Sequence, residues 1–221
     1  MNTSKFKGEI YQQFSRIGRA LASPVRLELL DLLCQAPRTV EALAKETTQS
    51  LANTSQHLRV LRQARLVEAE KHGLFVVYSL AGDEVCTFFK SLQKLAEVRL
   101  SEVRSLAQSL LAERHMLMPV DRGGLFSRIE HGEVTLLDVR PVDEYRAGHI
   151  PGSLSVPLAD LAEKIAGLPR DREVVAYCRG PYCVLAIEAV EILRRHGFTA
   201  LRMEESVHDW QAAGHVLQTE E

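Results

Sequence analysis

The stretch that decides the architecture of the first half is Gln49-Ser50-Leu51-Ala52-Asn53-Thr54-Ser55-Gln56-His57-Leu58-Arg59. Leu51, Leu58 and Leu61 recur at helical spacing and are expected to face a core. Ser50, Asn53, Thr54, Gln56 and Arg59 fall on the opposite side. That face carries both donors and acceptors, as base edges in a DNA major groove require. From Gln49 to Arg65 there are three arginines and no acid. A polar turn, Thr47-Thr48-Gln49, precedes this helix. Before it, Thr39 is placed to cap a short helix with the apolar face Val40, Leu43 and Ala44. Further upstream, Ser23 and Pro24 suit the N-cap and first position of a helix carrying Val25, Leu27, Leu29, Leu30, Leu32 and Leu33. Phe14 to Leu21 is amphipathic. Downstream, Val67 to Glu70 and Phe75 to Leu80 read as hairpin strands joined through Lys71-His72-Gly73. This order predicts a mainly α winged helix-turn-helix, with Lys71 and His72 at the wing tip near a phosphate or minor groove. The alternative is a helical interaction domain with a solvated polar face.

From Asp83 to about Glu113 the apolar residues Val85, Phe88, Phe89, Leu92, Leu95, Ala96, Val103, Leu106 and Leu110 keep a three-four spacing. The pattern predicts one long helix whose stripe pairs with a second copy or packs under the second half of the chain. A boundary follows, with Pro119 and then Asp121-Arg122-Gly123-Gly124. Beyond it the pattern changes. Val134 to Val139 and Val174 to Tyr177 read as buried strands, Val184 to His196 as a helix ended by Gly197, and Phe198 to Leu201 as a third strand. Strand, helix and strand in that order predict an α/β domain with a parallel sheet. The expected division is a DNA-binding and dimerisation domain over 1–115, a linker over 116–124 and an α/β domain over 125–221.

Composition agrees with two soluble domains. The chain has 221 residues, 46% hydrophobic and 25% charged, which excludes a disordered or collagen-like chain. The net charge of −2 hides an asymmetry: 16 Lys+Arg against 12 Asp+Glu up to residue 118, and 11 against 17 after it. The basic half is the polyanion candidate. No apolar run is long enough to span a membrane, and the N-terminus lacks a secretory core. Four cysteines, at 34, 86, 178 and 183, make no disulfide scaffold. The expectation is a cytoplasmic protein with reduced thiols, buried or reactive.

Leu21-Ala22-Ser23-Pro24-Val25-Arg26-Leu27, then Ser55-Gln56-His57-Leu58-Arg59-Val60-Leu61 and Leu66-Val67, resemble the ArsR/SmtB family of winged-helix repressors. The resemblance covers about residues 14–110. It implies a homodimer built on the first helix and residues 83–113, bound to a palindromic operator in double-stranded DNA. It also places the recognition positions at Ser50, Asn53, Thr54, Ser55 and Gln56, with Gln49, Arg59, Lys71 and His72 as further DNA candidates. Arg65 departs from the family, which usually has glycine there, so an arginine is expected to hold φ > 0. Many members sense metals through thiolates on the third helix or carboxylate–histidine pairs on the last. Here the third helix has no Cys and the last no His, so no metal and no cofactor are expected. Cys34 and Cys86 sit in apolar contexts and read as small core residues. A redox pair between them depends on their separation.

Val174-Val175-Ala176-Tyr177-Cys178-Arg179-Gly180-Pro181-Tyr182-Cys183-Val184 reads as strand, tight loop and helix start. Backbone N–H groups converge in such a loop and favour a thiolate, with Arg179 adding positive charge. Cys178 is therefore the candidate nucleophile. The second half, about 120–217, resembles the rhodanese family through Leu136-Leu137-Asp138-Val139-Arg140, Glu144-Tyr145, and Gly148-His149-Ile150-Pro151-Gly152-Ser153. Cys178 matches the cysteine that carries a persulfide sulfur. The six-residue loop Cys178, Arg179, Gly180, Pro181, Tyr182, Cys183 has the length of sulfur-handling members rather than of the phosphatase relatives. Asp138, Arg140 and His149 are expected to organise the surrounding loops. Cys183 stands where the family usually has Arg, which weakens the case for thiosulfate turnover and supplies a second thiol. That thiol either resolves a Cys178 persulfide, shares bridging sulfur with it, or simply fills the helix start.

Together the resemblances imply a DNA-binding regulator, in the repressor mould, whose α/β domain accepts sulfane sulfur at Cys178 from a small donor such as thiosulfate or a persulfide. Two alternatives stand beside it: a sulfurtransferase whose DNA-binding part is autoregulatory, and an inert α/β prop for a DNA-binding dimer.

Overall fold

The computed structural model describes residues 3–114 and 122–220. It forms two compact units divided between Arg99 and Leu100. The first opens with helix α1 (Thr3–Leu21), which starts well before Phe14, then α2 (Pro24–Gln35) with Pro24 at its first position. A two-residue strand β1 (Arg38–Thr39) leads into α3 (Val40–Glu46), and the Thr39 hydroxyl accepts from the Ala42 N–H as a cap. The helix α4 (Leu51–Gln63) is capped by Ser50, whose hydroxyl accepts from Asn53 N–H. The strands β2 (Val67–His72) and β3 (Phe75–Leu80) form the hairpin, and β1 pairs antiparallel with β3. Lys71 and His72 belong to β2, so the turn itself is Gly73-Leu74. Gly73 has φ 62°, where a side chain would be strained.

Leu29, Leu30, Leu43, Leu58 and Leu61 are fully buried and form the centre of this unit with Phe89 of α5 (Asp83–Arg99). Leu51, expected in the core, is exposed. It lies in the first turn of α4, beyond the reach of that cluster. Arg65 does adopt φ 58° between α4 and β2, as the missing glycine requires. Cys34 at the end of α2 and Cys86 in the first turns of α5 are both buried and joined as a disulfide, with Cα atoms 5.5 Å apart. They are core residues, as expected, but the expectation of reduced thiols gives way: all four cysteines are paired. The chain brings each pair within disulfide reach, which spacings of 52 and 5 residues did not reveal.

The expected single helix over 83–113 is two. The chain leaves helical geometry at Leu100 (φ −108°, ψ 104°), and α6 (Ser101–Glu113) belongs to the second unit. There Leu110 and Leu111 pack on the α/β core and Arg114 pairs with Glu191 at 2.9 Å. An uninterrupted apolar stripe hid the break because its two ends bury against different cores. Of the expected linker, residues 116–121 lie outside the described residues, and α7 (Arg122–Glu130) begins within its last part.

The second unit is an α/β sandwich on a four-stranded parallel sheet ordered β5-β4-β6-β7. The strands are β4 (Thr135–Asp138), β5 (Leu154–Ser155), β6 (Val174–Tyr177) and β7 (Ala200–Arg202). Helices α8 (Val142–Ala147), α9 (Leu161–Lys164), α10 (Val184–Arg195) and α11 (Val207–Ala212) complete it. Alternate residues of the central strands feed two cores. Leu137, Val174 and Ala176 meet Ile187, Val190 and Leu193 of α10 on one face. Leu136, Val175 and Tyr177 meet Met203 and Trp210 on the other. A sheet covered on both faces explains why its strands read as unbroken apolar runs. Gly197, at φ 82°, ends α10 as expected.

Candidate functional site

The two units carry separate candidate sites. In the first, α4 presents Ser50, Asn53, Gln56 and Arg59 as exposed residues, with Gln49 and Ser55 half-buried. Asn53 Nδ2 donates to Gln49 Oε1 at 2.7 Å, so the two amides are held as a pair at the start of the helix. Thr54 does not join them. It is buried, and its hydroxyl donates back to the Ser50 carbonyl at 3.1 Å. The helix turns this β-branched side chain inward one position before Ser55, which a polar-face reading of sequence could not separate. At the wing Lys71 and His72 are exposed, and His72 lies 3.3 Å from Glu70. Leu74 and Phe75 are exposed beside them.

In the second unit, β6 delivers Cys178 to the carboxyl edge of the sheet. Six residues later the chain turns into α10, with Cys183 at the N-cap. The two sulfurs are bonded, with Cα atoms 6.2 Å apart. Cys178, the candidate nucleophile, is 1% exposed. Gly180 takes φ 129°, and its carbonyl accepts from Cys183 N–H at 3.1 Å, tightening the turn. Pro181 and Tyr182 form the exposed rim.

The loop is tied down on two sides. Arg179 folds back onto Glu144 of α8, with Nε 3.0 and 3.1 Å from the two carboxylate oxygens. Glu144 is fully buried, so this carboxylate is held where only a cation makes it tolerable. On the other side Arg202, from the end of β7, donates from Nη1 to the Pro181 carbonyl at 3.3 Å and from Nη2 to Glu204 at 2.8 Å. Burial pushes the Arg202 pKa down, against the opposing pull of Glu204 and Glu205. Sequence reasoning quoted Glu144 only as part of a signature and missed Arg202. Nothing local marks Arg202, since it lies on another strand and meets the loop only through the parallel register of β6 and β7.

The residues expected to organise the surroundings do so. Arg140 and Asp138 are both fully buried; Nε lies 3.0 Å and Nη2 2.6 Å from carboxylate oxygens of Asp138, and Nη2 also donates to the Gly148 carbonyl at 2.8 Å. Burial opposes the Arg140 charge, and the Asp138 hydrogen bonds and charge outweigh it, raising its pKa. His149 stacks on Tyr145 at 3.7 Å between centroids, with Nδ1 2.9 Å from the Tyr145 carbonyl. Tyr177, the residue before Cys178, accepts from Ile150 N–H and meets the Ser153 hydroxyl at 3.1 Å. Burial raises its pKa far above the usual phenol range, so it acts as a neutral strut for the strand end. Among the described residues no group of three His, Cys, Asp or Glu converges on a metal position.

Comparison with known proteins matches each unit separately and the chain as a whole. Residues 23–69 match the model of bacterial regulatory proteins of the arsR family, and residues 125–213 match the rhodanese-like domain. The HTH-type transcriptional regulator Rv0324 of Mycobacterium tuberculosis is 42% identical over 208 residues, which cover 94% of this chain and 91% of that protein. Among solved structures, a homodimeric winged helix-turn-helix DNA-binding domain from Mycobacterium bovis is 38% identical. It covers 45% of this chain and 93% of that one, with a TM-score of 0.43. A rhodanese-related protein from Thermoplasma volcanium is 29% identical, covers 43% of this chain and 92% of that one, and has a TM-score of 0.39.

Proposed function

Because the chain belongs to the ArsR family of bacterial transcriptional regulators and extends it with a rhodanese-like domain, we propose that it is a homodimeric operator-binding protein, a repressor, that answers to sulfane sulfur taken up at Cys178. Dimerisation through α1 and α5 is supported by their exposed apolar residues. Phe6, Ile10, Tyr11, Phe14 and Ile17 line α1, and Phe88, Leu95 and Val98 line α5; all are exposed in the single chain. Large apolar side chains left exposed on a helix in such number mark an interaction surface. In the second unit α6 packs Leu110 and Leu111 on the α/β core and leaves Leu106 exposed, so residues 101–113 also offer apolar surface to a second copy. A two-fold dimer places two copies of α4 on successive major grooves, so the DNA partner is a palindromic operator. Gln49, Ser50, Asn53, Ser55, Gln56 and Arg59 read or position it, and Lys71 and His72 hold the flanking backbone.

The observation that carries the sulfur reading is the cysteine loop on the same chain as the DNA-reading helix. Cys178 stands at a strand end before a helix N-terminus, the setting that favours a thiolate and a bound anion. The donor is a small molecule carrying sulfane sulfur, thiosulfate or a persulfide. The test uses DNA selected by the reduced full-length protein from a random-sequence pool. Exposure to a persulfide is expected to weaken binding of the wild type, while Cys178→Ser binds the same DNA and no longer responds. A Cys178→Ser protein that still releases its DNA with sulfur refutes the reading. Steady turnover with thiosulfate and an acceptor would instead favour a sulfurtransferase with an autoregulatory DNA-binding part.

A further inference from the structure

The residues around the Cys178 loop bear on both the donor it accepts and the product it leaves. Arg179 and Arg202 are the cations bonded within or onto the loop, and each is matched by a carboxylate, Glu144 and Glu204 respectively. Thiosulfate carries its charge on the group directly bonded to the transferred sulfur, and such a donor calls for an uncompensated cation beside Cys178. The arginines here are already committed, the first to a fully buried acid. A low-molecular-weight persulfide, RSSH, has an uncharged alkylthio group, RS, at that position and needs no such cation. The second thiol is equally placed. Cys183 is the N-cap of a twelve-residue helix, and its side chain makes no capping hydrogen bond. A helix N-terminus stabilises a thiolate there. Its sulfur is bonded to that of Cys178, with a Cα separation inside the range a disulfide tolerates.

From these observations we propose that Cys178 and Cys183 form a dithiol centre that takes the sulfane sulfur of a low-molecular-weight persulfide and releases it as sulfide. The proposal rests on the reading that Cys178 accepts sulfur, and adds Cys183 as the resolving thiol. In the first step the Cys178 thiolate attacks the outer sulfur of RSSH. The donor S–S bond breaks, RS⁻ leaves and takes a proton as RSH, and Cys178 holds –S–SH. In the second, the Cys183 thiolate attacks Sγ of Cys178, the bond to the terminal sulfur breaks, and HS⁻ departs. The two thiols are oxidised to the disulfide by two electrons, and the sulfane sulfur is reduced by the same two. Two equivalents of a low-molecular-weight thiol reopen the loop, leaving as RSSR.

The test uses the full chain, reduced, freed of reductant and given one equivalent of cysteine persulfide without oxygen. Released sulfide is measured together with the mass of the peptide containing the loop. The wild type is expected to release about one sulfide per chain and to yield a loop peptide lighter by two hydrogens. Cys183→Ser is expected to hold one extra sulfur on Cys178 and to release sulfide at least roughly ten-fold more slowly. Thiosulfate in place of the persulfide is expected to give neither product. Sulfide release from Cys183→Ser at the wild-type rate overturns the proposal, as does a wild-type loop that keeps the extra sulfur and stays open. Equal reaction with thiosulfate overturns the donor class. If neither protein gains sulfur at Cys178, the underlying sulfur reading falls as well; gain without closure overturns the resolving step alone.

Discussion

Breaking the Cys34–Cys86 crosslink should destabilise the DNA-binding unit by a calculable amount. The disulfide ties the end of α2 to the start of α5 across a separation of 52 residues. Closing a loop of that length removes chain entropy from the unfolded state worth about 4 kcal/mol at room temperature. Cys34→Ser in the oxidised protein loses that term. The new hydroxyl is small, although leaving it buried without a partner adds about 1 kcal/mol. At a urea m-value of about 2 kcal/mol per molar, the unit's midpoint should fall by roughly 2.5 M. The two units can be read apart, because the single tryptophan, Trp210, lies in the second. Helix loss by circular dichroism at a fixed chain concentration should show the shift, while the Trp210 fluorescence midpoint stays in place. Wild type under reductant should approach the variant in the first transition. If oxidised wild type and Cys34→Ser unfold at the same urea concentration, the crosslink does not hold this unit together and the argument fails.

Arg65→Gly should raise stability by up to about 1 kcal/mol, because a side chain at φ 58° is strained, whereas Arg65→Val should cost about 1–2 kcal/mol; urea denaturation separates the two. Phe14→Glu puts a charge on the apolar stripe of α1, where Phe14 is 64% exposed. Sedimentation should show monomers, and DNA affinity should fall at equal chain concentration. Asp138→Asn leaves the fully buried Arg140 charge without its carboxylate, a loss of about 3–5 kcal/mol readable as a lowered Trp210 transition. Arg59→Ala should weaken binding to selected DNA and reduce the salt dependence of affinity by about one counterion if Arg59 meets a phosphate, or relax sequence preference if it meets a base.

Much of this was legible in the residues. Thr39 is a cap whose hydroxyl serves the helix that follows it, and such a signal is local. The strained φ of Arg65 follows from a wing that must turn there whatever residue is present. The sheet strands announced themselves because both faces are buried, and Gly197 marked the end of α10. Other features stayed hidden. The stripe from Val85 to Leu110 keeps one period through Leu100, so periodicity could not show that its halves pack on different cores. Thr54 and Ser55 are neighbours of similar polarity, and only the packing of α4 decides which is buried.

Residue order alone pointed to the succession of elements, the family of each half and the candidate cysteine loop. All three depend on residues close together along the chain, where caps, turns and side-chain period act. Which side chains meet across long separations became plain only in the folded chain: Cys34 with Cys86, Arg179 with Glu144, and Arg202 with the Pro181 carbonyl. Those contacts are set by strand register and helix packing, and neither leaves a mark on the residues flanking either partner.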